Sequence, residues 1–289
     1  MRIGAHSQMF IHDIAEDVDG VFDAVASYGL DAIELHVGDA TTFPTEAVAK
    51  AARRTGLEVV LGTALRAGQS TIAEEAHVRQ QGLDHLRRCI AIAEAVGAGV
   101  IAGGVHSANG SFVGRGRTEA EWARSVHALQ AVASDAEAAD VVVTVEPVSR
   151  YSGYFLNTAT DAIALVDAVD SSHVAVQLDT FHMNIEEADP VAAIEAAGSR
   201  LRHFHAVENN RGIPGTGQVP WRAIFEALER IGYDGLFVYE HFPRTLPQMA
   251  VRTHTWRTIA TSEEVCVEGS RRLRAIAADA GYGVRTGRR

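Results

Sequence analysis

Four residues whose side chains bind cations or move protons occupy matching positions along the chain: Glu146, Asp179, His205 and Glu240. Each directly follows a short run of apolar β-formers, at 141–145, 173–178, 201–204 and 236–239. Strands buried on both faces of a parallel sheet read as continuous apolar runs, so a carboxylate or imidazole at the end of one breaks the pattern. Asp179 taken alone also suits a helix N-cap, because Asp accepts hydrogen bonds from the free amides of a first turn. Four such residues on four successive strands point instead to a shared site. Three carboxylates brought together raise one another's pKa unless a cation lies between them. Three oxygens and one imidazole nitrogen make a harder donor set than that of a structural zinc site. It favours Mn²⁺, Co²⁺ or Mg²⁺, with Zn²⁺ also compatible. A second imidazole, His182, follows Asp179 by three residues.

These residues can meet only if the strands that carry them end in one place. Apolar runs predict strands at 3–8, 31–36, 57–61 and 100–102 as well as the four already named. Helical patterns lie between them at 18–28, 45–54, 72–96, from 118 onward, 158–169, 190–197 and 220–231, with a last one at 262–280. In 72–96 the residues Leu83, Leu86, Ile90, Ile92 and Ala95 recur at helical spacing, and Gly97 ends the run. Thr118 with Glu121 forms a capping-box signature. Eight strand–helix alternations without a linker predict one closed (β/α)8 TIM barrel over 1–282, followed by a basic tail, 283–289, expected to be disordered. An open doubly wound sheet is the competing topology, but no Gly-x-Gly-x-x-Gly follows the first strand. In a barrel of parallel strands the C-terminal strand ends are where active sites are built.

The totals narrow the function further. The chain has 289 residues, 26 basic against 37 acidic, and a net charge of −11. That balance repels phosphate backbones and argues against nucleic acid and anionic membranes as partners. A metal-dependent DNA-repair nuclease, which shares the barrel, needs a basic groove and more ligands. Phosphosugars are disfavoured because only the short Gly215-Thr216-Gly217 loop resembles a phosphate cradle. Cys89 and Cys266 are too far apart for metal or redox spacing, as expected of a reducing compartment. The opening residues read as a strand, with no basic segment leading an apolar one, and no stretch approaches the ~20 apolar residues that span a bilayer. A cytoplasmic enzyme acting on a small neutral molecule is the expectation.

Longer motifs carry a resemblance. Glu146-Pro-Val-Ser-Arg-Tyr151 with Phe155-Leu-Asn157 is followed by Leu178-Asp179-Thr-Phe-His182-Met-Asn-Ile-Glu-Glu187. His203-Phe-His205-Ala-Val-Glu208-Asn-Asn-Arg211-Gly-Ile-Pro214-Gly-Thr-Gly217 and Tyr233-Asp-Gly235 before Glu240 continue the series. This pattern resembles the ketose 3-epimerases, the D-tagatose and D-psicose (allulose) 3-epimerases among the xylose-isomerase-like barrels. It is densest from Glu146 to Glu240. The resemblance implies Glu146, Asp179, His205 and Glu240 as metal ligands, with Mn²⁺ the first expectation. It implies Glu146 and Glu240 as the catalytic acid and base, and His182 and Arg211 as groups that hold the sugar's oxygens. The implied reaction moves the proton on carbon 3 of a ketose, through a cis-enediolate stabilised beside the cation. A homodimer or homotetramer is implied as well.

The resemblance breaks at Ser149 and Ser152, where the family usually carries Asn and Glu. The missing Glu normally helps grip the far end of the sugar, so a neutral Ser leaves a larger and less acidic pocket. The alternative reading is therefore a lyase subunit that cleaves 3-oxo C-glycosides on the same barrel and metal site, with a partner subunit in a hetero-oligomer. Among the remaining residues, His6 and His106 either line the same mouth or fill its rim, and Glu34 and His36, at the end of the second strand, are expected either to support structure or to stand behind the ligands and orient them. His203 is expected to face away from His205 and to pack. Glu208 is a candidate partner for Arg211 or for a ligand residue. Trp122, Trp221 and Trp256 are expected to pack, with Trp221 and Trp256 also placed to bound a pocket.

Overall fold

The eight apolar runs form eight parallel strands paired in chain order, and the eighth closes on the first. The computed structural model describes residues 1–283, so 284–289, nearly all of the expected tail, lie outside the described residues. The strands are β1 (Arg2–His6), β2 (Ala32–His36), β3 (Glu58–Ala64), β4 (Val100–Gly104), β5 (Val142–Val145), β6 (Val174–Asp179), β7 (Leu201–His205) and β8 (Leu236–Tyr239). The helices are α1 (Val18–Ser27), α2 (Thr45–Thr55), α3 (Ala76–Val96), α4 (Glu119–Ala138), α5 (Ala159–Val169), α6 (Thr180–Glu186), α7 (Pro190–Ala197), α8 (Trp221–Arg230), α9 (Pro247–Thr253) and α10 (Ser262–Asp279).

Most expected boundaries agree to within a few residues. Helix α3 starts four residues later than its apolar pattern, because 72–75 turn instead and Arg79 ties that turn through the carbonyls of Ala73 and Glu74. The capping box at the start of α4 forms as read, with Thr118 and Glu121 bonded reciprocally. Helices α6 and α9 have seven residues each and were not anticipated, since two turns are too short to show a helical period.

Two apolar layers hold the barrel. Between strands and helices lies the main core, where Phe237 meets Phe204, Phe225 and Tyr282 at ring separations of 5.8, 5.5 and 5.5 Å. Complete burial of each such side chain contributes about 1.5–3 kcal/mol. Tyr282 also donates its hydroxyl to the Tyr233 carbonyl at 2.6 Å, fastening the end of the described chain to the barrel. Inside the barrel lies a smaller apolar plug of Ala32, Val60, Ala102, Leu236 and Val238. Two residues further along, the inward positions are Glu34 on β2 and, after β8, Glu240, while β3 and β4 carry Gly62 and Gly104 there. The site therefore stands on an apolar floor at the C-terminal strand ends.

Candidate metal centre and active site

Strands β6 and β7 deliver Asp179 and His205 as direct register partners. Asp179 ends β6 and also caps α6, with its Oδ1 accepting from the Phe181 amide at 2.7 Å. The N-cap is therefore formed, and it uses only one of the two carboxylate oxygens. Its Oδ2 is buried and accepts no hydrogen bond from any described residue. That oxygen lies 3.7 Å from His205 Nδ1 and 4.0 Å from Arg211 Nη1. His205 Nδ1 is also 3.9 Å from Glu146 Oε1, and Glu240 pairs with the Arg211 guanidinium. Ligand atoms of Asp179, His205 and Glu240 all lie within 4.8 Å of one another, and so do those of Glu146, Asp179 and His182. The two triplets share Asp179. All six residues singled out in the sequence thus meet at one buried cluster.

The electrostatics explain what such a cluster needs. Burial pushes the Glu146 carboxyl up to about 8, against the pull of His205 and helped by Asp179 and Glu240. Burial would also raise Asp179, but His205, His182 and Arg211 outweigh it and bring the group to about 2. Glu240 faces the same burial and is held below the ordinary carboxylate range, chiefly by Arg211 and then His205. Burial disfavours the charged form of His205, yet Glu34, Asp179 and Glu146 raise it well above an ordinary histidine. An orphaned carboxylate oxygen among three carboxylates and an imidazole is a donor set suited to a divalent cation, which would satisfy Asp179 Oδ2 and relieve the repulsion. The residues present can hold a metal ion.

His182 and Arg211 reach the cluster from segments outside the strands. His182 is carried on α6, and its Nδ1 accepts from the Ser149 amide at 3.1 Å. Burial lowers its pKa to about 4, so the ring is neutral and its remaining proton sits on Nε2. The 149–152 loop is fastened to the same helix, since Arg150 grips the nearly buried Glu186 through its backbone amide, at 2.7 Å, and its guanidinium. Arg211 adopts a left-handed backbone, φ 57°. Its guanidinium lies 4.0 Å from the Phe181 ring centroid and 4.8 Å from that of Phe242. Glu208 does not pair with Arg211. Its carboxylate accepts from the amides of Asn209, Gly215 and Val219 and from Trp221 Nε1, at 2.9–3.1 Å, and so shapes the loop on which Arg211 sits.

The expectation for His203 was wrong. Residues two apart on a strand share a face, so His203 and His205 point the same way, and both bond Glu34 Oε2, at 2.7 and 3.0 Å. Glu34 thus takes the supporting place behind a ligand candidate that its strand-end position left open, and its partner, 171 residues away in the chain, is one that no local signal announces. His106 supports the backbone at the first ligand candidate, donating from Nε2 to the Glu146 carbonyl at 2.9 Å. His6 accepts from the Gln8 amide and lies 3.8 Å from Glu34 Oε1, at the floor of the mouth. Trp221 is buried against Glu208, whereas Trp256 is 62% exposed and packs little.

A closed parallel barrel with carboxylates and histidines converging at its C-terminal strand ends is the architecture of the xylose isomerase-like barrels. Residues 22–276 match the family model described as a xylose isomerase-like TIM barrel, and the chain belongs to that family. It is 31% identical over 263 residues to a D-psicose 3-epimerase of Enterocloster bolteae, covering 89% of this chain and 87% of the relative. The solved structure of an L-ribulose 3-epimerase superposes with a TM-score of 0.92 at 29% identity, over 99% of this chain and 98% of that one. A 3-dehydro-D-guloside 4-epimerase of Escherichia coli is 31% identical over 250 residues, 83% of this chain and 92% of the relative. These relatives are isomerases, and the chain is an enzyme of that class. Among the described residues no helix is long and apolar enough to cross a membrane.

Proposed function

We propose that this enzyme epimerises a ketose at carbon 3, with Glu146, Asp179, His205 and Glu240 holding a divalent cation, Mn²⁺ first among the candidates. The observation that carries this reading is the buried, unpartnered Asp179 Oδ2 at the centre of the acidic and histidine cluster. When bound, the cation supplies Lewis acidity to the sugar's carbonyl region. Glu146 and Glu240 come from strand ends on different sides of the mouth. One of these carboxyl groups takes the carbon 3 proton and the other gives one back. Return of the proton from the other side inverts the centre. His182 presents its Nε2 proton to a sugar oxygen, and Arg211, stacked between two phenylalanines, fixes a second. The enzyme is expected to work as a homodimer or homotetramer in the cytoplasm.

The Ser149–Ser152 loop and the guloside 4-epimerase relative favour a second reading, a 3-oxo-glycoside as substrate for the same proton chemistry, up to and including cleavage of a C-glycoside with a partner subunit. Incubation of the Mn²⁺-loaded enzyme with a panel of free ketoses in D₂O, followed by proton NMR of the recovered sugars, separates the two. Deuterium at carbon 3 together with the epimer is the expected result. No exchange in any ketose by a metal-replete protein would transfer the proposal to the 3-oxo-glycosides. Glu240→Gln is expected to lower turnover at least about 10³-fold and to weaken Mn²⁺ binding. An active, metal-replete variant would exclude the two-carboxylate scheme.

A further inference from the structure

We infer that Glu34, steadied by His203, is the positioning residue for His205, holding the proton on His205 Nε2 so that Nδ1 turns its lone pair toward Asp179 and Glu146. The inference rests on the proposed cation site and goes one layer beneath it. Glu34 stands in the middle of β2 and is 2% exposed, and His203 is 1% exposed. Its Oε2 lies 3.0 Å from His205 Nε2 and 2.7 Å from His203 Nε2. The opposite nitrogen of His205, Nδ1, is the one that faces Asp179 Oδ2 at 3.7 Å and Glu146 Oε1 at 3.9 Å. A neutral imidazole that binds a cation through Nδ1 must carry its proton on Nε2. In a buried site that N–H needs an acceptor, or its desolvation costs about 1–3 kcal/mol. A carboxylate in that place also makes the ligand nitrogen more basic and fixes the ring's rotation.

The surroundings are built for this carboxylate. Gly62 on the neighbouring strand β3 leaves the space that Glu34 occupies, because a Cβ there would lie 2.5 Å from Glu34 Oε1. Gln177 does not take over the task. Its Nε2 is 3.5 and 3.4 Å from His205 Nδ1 and Nε2, nearly equidistant, so it is aimed at neither nitrogen in particular. Its Oε1 is committed to the Gly103 amide at 2.7 Å and Thr144 Oγ1 at 3.2 Å. Glu34, His203 and His205 also sit close enough together to suggest a cation site of their own. The spacing favours hydrogen bonds. Separations of 2.7 and 3.0 Å are N–H···O lengths, whereas ligand atoms around a tetrahedral ion with ~2.1 Å bonds stand roughly 3.4 Å apart.

The test combines metal affinity with the position of a proton. Metal-stripped wild-type enzyme and Glu34→Gln are titrated with Mn²⁺, reading free Mn²⁺ by EPR, and thermal melting of both metal-free proteins monitors the fold. Wild type is expected to bind one ion per chain. Glu34→Gln is expected to bind about 10–100-fold more weakly, with part of the loss restored in Glu34→Asp and a smaller loss in His203→Gln. Histidine ¹⁵N shifts of the wild type with Zn²⁺ bound are expected to show His205 protonated at Nε2, a measurement that stands even where a variant fails to fold. Unchanged Mn²⁺ affinity in a folded Glu34→Gln, or a proton on His205 Nδ1, overturns the inference. Two ions per chain, one of them lost in Glu34→Gln, overturns it in favour of a second cation site. Absence of any Mn²⁺ binding by the wild type is a different failure, that of the cation site itself.

Discussion

The two oxygens of Asp179 have different tasks: one closes the first turn of α6, and the other is left facing His205 and Arg211. A single residue thereby couples the position of His182, three residues further along that helix, to the geometry of the ligand cluster. Ser149 completes the link, because its amide rather than a side chain meets His182 Nδ1. Residue 152, in contrast, is only half-buried on a turn, with its amide bonded back to the Ser149 carbonyl at 2.7 Å and its own carbonyl accepting from Gly110. Ser152→Glu is expected to raise kcat/KM for small free ketoses relative to larger keto-sugars by about tenfold, or ~1.4 kcal/mol. Kinetics over a graded substrate panel would measure it, and an unaltered profile would mean that this turn does not border the substrate.

At the level of elements, strands supply the ligand candidates while loops and short helices supply the groups around them. The segment 208–221 is the clearest case. Glu208 is fully buried, with Oε1 facing the Asn209 and Val219 amides and Oε2 facing the Gly215 amide and the Trp221 indole. In Glu208→Gln an NH₂ group must oppose two N–H donors whichever way the amide is turned. The expected cost is about 2–3 kcal/mol, read as a lower urea midpoint. Because Arg211 is held on this loop by the hydrogen bond its backbone N–H donates to the Glu208 carbonyl, 2.8 Å, a rise in KM should accompany the loss. Wild-type stability and KM in this variant would show that other contacts hold the loop.

For the whole molecule, buried neutral histidines set the acid limit. Burial lowers His85 and His106 to about 4, and both rings are committed to neighbours, His85 to Thr63 Oγ1 at 2.8 Å and His106 to the Glu146 carbonyl at 2.9 Å. These folded-state values lie below the unfolded one of 6.5. Below pH 6.5 the unfolded chain therefore takes up protons that the folded chain does not. Stability is fully present above that pH and is lost as the pH falls toward 4, by up to about 1.4 kcal/mol per pH unit for each group. Urea midpoints of the metal-free protein from pH 7 to 4.5 should fall accordingly, and less steeply in His85→Gln. Because Glu146, at about 8 in the folded metal-free protein, contributes the opposite slope to both proteins, the comparison decides, and equal slopes in the two would mean that the His85 ring is hydrated in solution.

Much of this was legible in the chain itself. An apolar run closed by Glu146, Asp179, His205 or Glu240 is a local signal, since a strand buried on both faces admits a charged group only where it ends. The same alternation, counted correctly, also places His203 beside His205. Helix α6 was legible only as a cap without a period, because seven residues hold too few turns. What the sequence could not indicate are contacts with no local cause. Glu34 lies mid-strand and meets His205 only because β2 and β7 face each other across a closed barrel, and Arg211 finds Glu240 only because Glu208 folds its loop back over the mouth. Strand ends are determined by neighbours in the chain, whereas these pairings are determined by closure of the barrel, which brings together residues far apart in the sequence.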